Sequence, residues 1–208
     1  MTRIKKANKL QKRIQTELKA LTAVAAGVQS VSSALDLSGR IKKVTILIDH
    51  AKDSATASAG QGAEYVIQVS EKASGNDTWR ALASFTAAMT APTAMVSDAE
   101  EAVGATVIEC GAAVPAVGDI LFFKNATIAN SEWANVIARV TTAGSESVTL
   151  ESGLTNIQPA GTYYTQGEHF VETIDVEAVT RLRVVCNNTK GTTNQAIVWR
   201  CAAITAEE

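Results

Sequence analysis

The first apolar positions of the chain recur three and four residues apart: Ile4, Ala7, Ile14, Leu18, Leu21, Ala25 and Val28, with a polar interruption at Gln11. One face of an α-helix repeats every 3.6 residues, so this spacing predicts an amphipathic helix within residues 1–36, weakened near Gly27 and ended by the Asp36–Gly39 turn. The seam through Ile4, Ile14, Leu18 and Leu21 is predicted to bury against a neighbouring subunit; packing on its own domain is the alternative. After Gly39 the period changes to two. Lys43–Asp49 places Val44, Ile46 and Ile48 on one face, Ala63–Ser70 does so with Tyr65, Ile67 and Val69, and Trp79–Phe85 sets Trp79 and Phe85 on one side. Near the C-terminus Glu168–Val176, Thr180–Asn187 and Gln195–Ile204 read as strands, and the polar loop between the last two predicts a hairpin. With no helical period between them, these strands predict an antiparallel β-sandwich built from residues 37–96 and 167–208.

Residues 97–166 have a different texture. Short strand candidates at Thr106–Cys110, Asp119–Lys124, Glu132–Thr142, Glu146–Leu150 and Thr162–Thr165 are punctuated by glycines at 104, 111, 118, 144, 153 and 161. Short strands so closely spaced suit a small β-barrel, which closes on itself and leaves no free edge. The expected fold is therefore mainly β: an antiparallel β-sandwich with an inserted small β-barrel domain and an N-terminal α-helix. A tandem of two domains is the alternative.

Charge is segregated along this plan. Residues 1–20 hold seven cations against one acid, and the 208-residue chain nonetheless carries a net charge of −2. A near-neutral chain argues against a dedicated nucleic-acid binder, although the basic face leaves contact with packaged DNA as a minor alternative. No apolar run approaches the ~20 residues that span a bilayer, and no secretory signal is evident.

Candidate chemistry is sparse. His50 and His169 are far apart in sequence, and Asp49, His50 and Asp53 more plausibly close a strand and open a loop than hold a cation. Cys110, Cys186 and Cys201 form no C-x-x-C pair and read as free, buried thiols of a reducing compartment. Asp98, Glu100 and Glu101 cluster as surface acids, without the opposed pair across a cleft that glycoside hydrolysis uses. Trp79 and Trp199 read as core, whereas Trp133 and Tyr163–Tyr164 are the aromatics to inspect as a sugar platform. Arg181, Arg183 and Arg200 are expected on the C-terminal hairpin, facing solvent and paired with Glu172 or Glu177, with an inter-subunit salt bridge as the alternative. No catalytic residue, cofactor or metal ligand is assigned, and the chain is expected not to be an enzyme.

The inserted segment is similar to a module of tailed-bacteriophage structural proteins. The matching stretches are Gly104–Ile108, Val117–Phe122, Ser131–Val136, Ser147–Glu151, Gly153–Thr155 and Ala160–Thr162. Flanking segments resemble virion sandwich domains at Asp36–Gly39, at Tyr65–Ser70, at the Gly75–Trp79 turn and at Arg181–Val184. The resemblance implies a non-catalytic virion component made in the host cytoplasm, of capsid-decoration or head–tail type. It would form a homo-oligomer and bind other capsid, neck or tail subunits, stabilising the head or head–tail region. A carbohydrate or host-surface binding module is the alternative, because sandwiches host such sites readily.

Overall fold

The computed structural model describes residues 13–37, 41–52, 63–74, 78–87, 94–97, 99–111, 114–164, 167–189 and 196–207. The protein is mainly β, with fifteen strands among these residues and every strand pair antiparallel. The strands are β1 (Arg13–Val24), β2 (Gln29–Val31), β3 (Leu35–Asp36), β4 (Ile41–Lys52), β5 (Glu64–Ser70), β6 (Arg80–Thr86), β7 (Ala94–Ser97) and β8 (Val107–Glu109). They continue as β9 (Ile120–Phe123), β10 (Glu132–Val140), β11 (Ser147–Leu150), β12 (Gly161–Tyr164), β13 (Gly167–Asp175), β14 (Arg181–Asn187) and β15 (Ile197–Glu207).

Three sheets result. A four-stranded sheet has the order β1-β15-β4-β13, a five-stranded sheet combines β2-β14-β5-β6 with β3 on β14, and a six-stranded sheet has the order β7-β12-β9-β10-β11-β8. The four- and five-stranded sheets share one core. Val44, Ile46, Ile48, Trp199 and Cys201 from the first pack with Tyr65, Ile67, Leu182, Val184 and Cys186 from the second. Alternation along β4 and β14 supplies this apolar face, since successive side chains of a strand point to opposite sides. Tyr65 anchors the layer, with ring centroids 5.6 Å from Trp199 and 5.9 Å from Phe170. Burying aromatics of this size contributes roughly 2–3 kcal/mol each.

The six-stranded sheet draws all its strands from residues 94–164 and encloses a second core around Met95, Ile108, Leu121, Phe123, Val136, Val148 and Leu150. Its first and last strands approach each other, for Gly111 N–H, just past β8, donates to the Val96 carbonyl of β7 at 2.9 Å. Strand β9 is apolar on both faces: Leu121 and Phe123 enter this core, and Phe122 packs on Ala51 and Val198 of the four-stranded sheet. The return loop is pinned to β10. The Glu132 carboxylate accepts Thr155 N–H (2.8 Å), Thr155 Oγ1–H (2.7 Å), Asn156 N–H (3.1 Å) and Gln158 Nε2–H (2.7 Å).

The structure corrects three expectations. Among the described residues there is no α-helix, and Arg13–Val24 is a strand paired with β15. Its ladder carries irregularities between Glu17 and Lys19 and between Lys19 and Thr22. Two one-residue shifts restore the parity, so Leu18 and Val24, six residues apart, both enter the shared core, whereas Leu21 between them packs beside Phe122. Two interrupted runs of period two imitate a period of 3.6, and pairing with β15 overrides the helix-favouring Lys, Glu, Leu and Ala of this stretch. The rest of the expected helix, residues 1–12 with Ile4, lies outside the described residues.

The expected hairpin of β14 and β15 does not form either. β14 belongs to the five-stranded sheet and β15 to the four-stranded one, so the chain crosses the core between them. Finally, Trp79 is half-exposed outside the five-stranded sheet, whereas Trp199 is fully buried. A bulge that sets Ile67 opposite Ala83 but Gln68 opposite Ala81 puts Ala81 on the outward side with Gln68, so residues before β6 leave on that face.

Candidate functional site

Strand parity builds the site. In the four-stranded sheet the side chains at 44, 46, 48 and 50 enter the core, so those at 45, 47, 49 and 51 face outward. Register then sets neighbours beside each. Ala51 lies between Gly167 and Val198, Asp49 between His169 and Arg200, Leu47 between Val171 and Ala202, and Thr45 between Thr173 and Ile204. On the far side β1 adds Glu17 next to Ala202 and Gln15 next to Ile204.

The Ala51 row is covered, because Phe122, Trp133, Ile128 and Leu21 pack over Ala51 and Val198. The remaining rows are open. Val171 is 62% exposed, and Leu47 and Ala202 are half-exposed beside it. A shallow depression of about 390 Å³ runs over them, bordered by Gln15, Glu17, Lys19, Asp49, His169 and Arg200. The arrangement is an apolar centre with a charged rim, lying at the foot of the six-stranded unit.

Asp49 organises the rim nearest that unit. His169 Nδ1 lies 2.6 Å from its Oδ1, and Arg200 Nε–H donates to its Oδ2 at 2.5 Å. Burial alone raises the Asp49 carboxyl, but the hydrogen bonds from His169 and Arg200 and their charges outweigh it and hold the group below its ordinary value. The Arg200 guanidinium also lies 5.0 Å from the centre of the Trp133 ring, whose other neighbour is Phe122 at 5.1 Å between centroids. Trp133 Nε1–H donates to the His50 carbonyl at 2.9 Å. On the opposite face of β4, His50 Nδ1 and Tyr65 Oη are 2.6 Å apart within the core. Burial, with the Lys52 charge, pushes the His50 imidazole down to about 3, so it is neutral.

The singled-out residues fall as follows. Leu18 is 3% exposed within the shared core of the two sheets. Leu21 packs beside the Phe122 cluster, and Ile14 is half-buried on β1 opposite Thr205. Asp49 and His50 point to opposite faces of β4 and cannot share a ligand, and Asp53 and Asp98 lie outside the described residues. The three cysteines are free and buried; burial pushes Cys186 and Cys201 up to about 12 despite a hydrogen bond between Cys186 and Tyr65. Arg200 pairs with Asp49, whereas Arg181 and Arg183 lie on the other sheet.

The grouping of Asp49, His169 and Arg200 is new relative to the sequence. They come from three strands, and only the β13–β4–β15 register brings them together. The Asp49–His169 pair has the form of the carboxylate–imidazole half of a nucleophile-activating triad. Among the described residues no hydroxyl or thiol hydrogen-bonds to His169, and no group of three His, Cys, Asp or Glu side chains could hold a metal ion. Among the same residues no helix is long and apolar enough to cross a membrane.

No protein-family model and no curated protein sequence matches the chain. Solved structures similar to it include the SPBc2 prophage-derived protein YomS, at 7% identity over 97% of this chain and 98% of that one, with a TM-score of 0.32. VP17, a capsid protein of bacteriophage P23-77, aligns over 95% of this chain and 97% of its own at 8% identity and a TM-score of 0.21. The structure of infectious bursal disease virus Gx strain aligns with all of this chain but 45% of its own, at 10% identity and a TM-score of 0.25. TM-scores this low do not define a shared fold.

Proposed function

We propose that this chain is a non-enzymatic structural component of a phage virion. In this reading, the β-sandwich of the four- and five-stranded sheets carries the six-stranded unit of residues 94–164 as an inserted small barrel and stabilises the head or head–tail region by contacts between subunits. The single observation that carries the reading is the open outer face of the four-stranded sheet. There Leu47, Val171, Ala202 and Ile204 form a contiguous apolar patch inside a rim of Gln15, Glu17, Lys19, Asp49, His169 and Arg200. Apolar centres with polar rims are the anatomy of protein–protein contacts. The sequence resemblance to phage structural modules adds support.

The test is incorporation. Val171→Glu and Ala202→Glu place charge in the centre of the patch without touching either core. Both variants are expected to keep their β circular-dichroism spectrum and cooperative melt and to be lost from purified particles. Normal incorporation of the folded double variant overturns the proposal.

A further inference from the structure

An edge strand leaves a row of backbone N–H and C=O groups that another strand can take, and folded proteins blunt such edges. Among the described residues most edges of the three sheets are blunted. β2 and β8 are three residues long and β7 is four. β7 and β8 also close on each other through the Gly111–Val96 hydrogen bond. β6 is bulged at Leu82. β1 carries two irregularities and gives its Leu18 carbonyl to Ser33 N–H at 2.8 Å.

β13 has none of these devices in its backbone. Among the described residues it pairs with β4 alone, over nine residues without a register shift. Its first residue, Gly167, lies against Trp133 and Ile120 of the six-stranded unit, which leaves His169–Thr173 as the open part of the edge. His169, Val171 and Thr173 are exposed on the outer face, Val171 at 62%. Phe170 and Glu172 are half-buried on the inner face.

The partner of such an edge is an extended strand, since only that meets successive main-chain groups. A second copy offers one whose pattern is its own complement. When two antiparallel copies of β13 meet about an axis at Val171, the two valines face each other. His169 then faces the second copy's Thr173, and Phe170 faces its Glu172. All five positions are paired and no acid opposes an acid. An axis at Phe170 would set Glu168 opposite Glu172, and an axis at Glu172 would set that carboxylate opposite its own copy. Like charges directly opposed across strands are destabilising, so the inward Glu172 fixes the register.

Area favours the same partner. The apolar face of one four-stranded sheet, with strands about 4.8 Å apart and about five open residues on each, covers roughly 300 Å². A standard interface takes roughly 800 Å² per partner. Pairing through β13 makes one eight-stranded sheet and brings the two faces together as a continuous surface of roughly 600 Å².

We propose that the His169–Thr173 edge of β13 pairs antiparallel with the same edge of a second copy of this chain, about a two-fold axis at Val171. The contact is isologous, so it closes as a dimer rather than growing into strings. It concerns the chain by itself and does not rest on the virion reading.

Sedimentation velocity and cysteine cross-linking of the purified full chain test this. The wild type is expected to be a dimer, and Val171→Lys, which opposes two ammonium groups at the axis, is expected to weaken the dimer at least about tenfold with an unchanged melt. Mild oxidation is expected to join Val171→Cys chains as a disulfide dimer. Thr173→Cys is expected to remain unlinked, because its two copies stand four positions, about 13 Å, apart along the strands, beyond the roughly 7 Å Cα separation a disulfide spans. The wild type is the control, since Cys110, Cys186 and Cys201 are buried. A monomeric wild type, a dimer indifferent to Val171→Lys, or cross-linking through Thr173→Cys but not Val171→Cys each overturns the proposal. So does a monomer whose His169–Thr173 amides resist hydrogen exchange on both sides of the strand, because its own chain then covers the edge. Ala202→Glu, two strands away from this edge, is expected to keep the dimer while losing incorporation into particles, which separates failure here from failure of the reading above.

Discussion

The indole N–H of Trp133 reaches across the boundary between two cores and donates to the His50 carbonyl at 2.9 Å. It thereby couples the 94–164 unit to the same strand whose other face carries the buried His50–Tyr65 pair. The fit under that indole is close. A Cβ at Gly167 would stand 2.6 Å from Trp133 Cδ1 and 2.6 Å from Ile120 Cγ2.

Gly167→Ala is therefore expected to displace Trp133 and destabilise the protein by about 1–3 kcal/mol. Urea unfolding, with Trp fluorescence reporting the indole environment, measures both effects. A wild-type midpoint would show that the junction has slack.

The Asp49–Arg200 pair is half in solvent, since the Arg200 side chain is 50% exposed. Its coupling should accordingly be modest, about 0.5–1.5 kcal/mol in a double-mutant cycle of Asp49→Asn and Arg200→Met. Trp133→Phe is expected to reduce that coupling, because the indole face lies over the guanidinium. A coupling that is unaffected separates the two contacts.

His50 makes stability depend on pH. Its folded value of about 3 lies below the ordinary 6.5, so the unfolded chain takes up a proton that the folded one refuses. This contribution is complete above pH 6.5 and is lost as the pH falls toward 3. Between pH 6.5 and 4.5 the loss is about 2–3 kcal/mol. Asp49, also held low, adds a loss only as the pH falls through the lower carboxylate range. Urea titrations at the two pH values should show the slope in the wild type and its disappearance in His50→Leu.

Leu18 gives a direct check on β1. In the shared core it is 3% exposed, so Leu18→Asp buries a carboxylate and is expected to cost more than about 3 kcal/mol. A large drop in melting temperature is the expected readout. A stable, folded Leu18→Asp variant would contradict burial of this side chain.

Much of the strand inventory was legible. Strands β4, β5 and β9 to β13 announce themselves through alternation or short apolar runs between turn residues, because both signals arise from the local pleat and its burial. β7 went unseen, since Ala94–Ser97 is too short and mixed to carry a period. The charge trio of the open face could not be read at all: Asp49, His169 and Arg200 are separated by over a hundred and by thirty-one positions respectively.

By itself the chain determined where its backbone prefers to be extended, which side chains of each strand turn inward, and how its charge is divided. Those properties depend on neighbours a few residues away. Only the tertiary structure decided that Arg13–Val24 is a bulged strand on β15, that β14 and β15 part into different sheets, and that Trp79 stands outside with two arginines. Each of these rests on which distant strand supplies hydrogen bonds and buried area, a choice made by minimising exposed apolar surface over the whole molecule and therefore invisible in any local window.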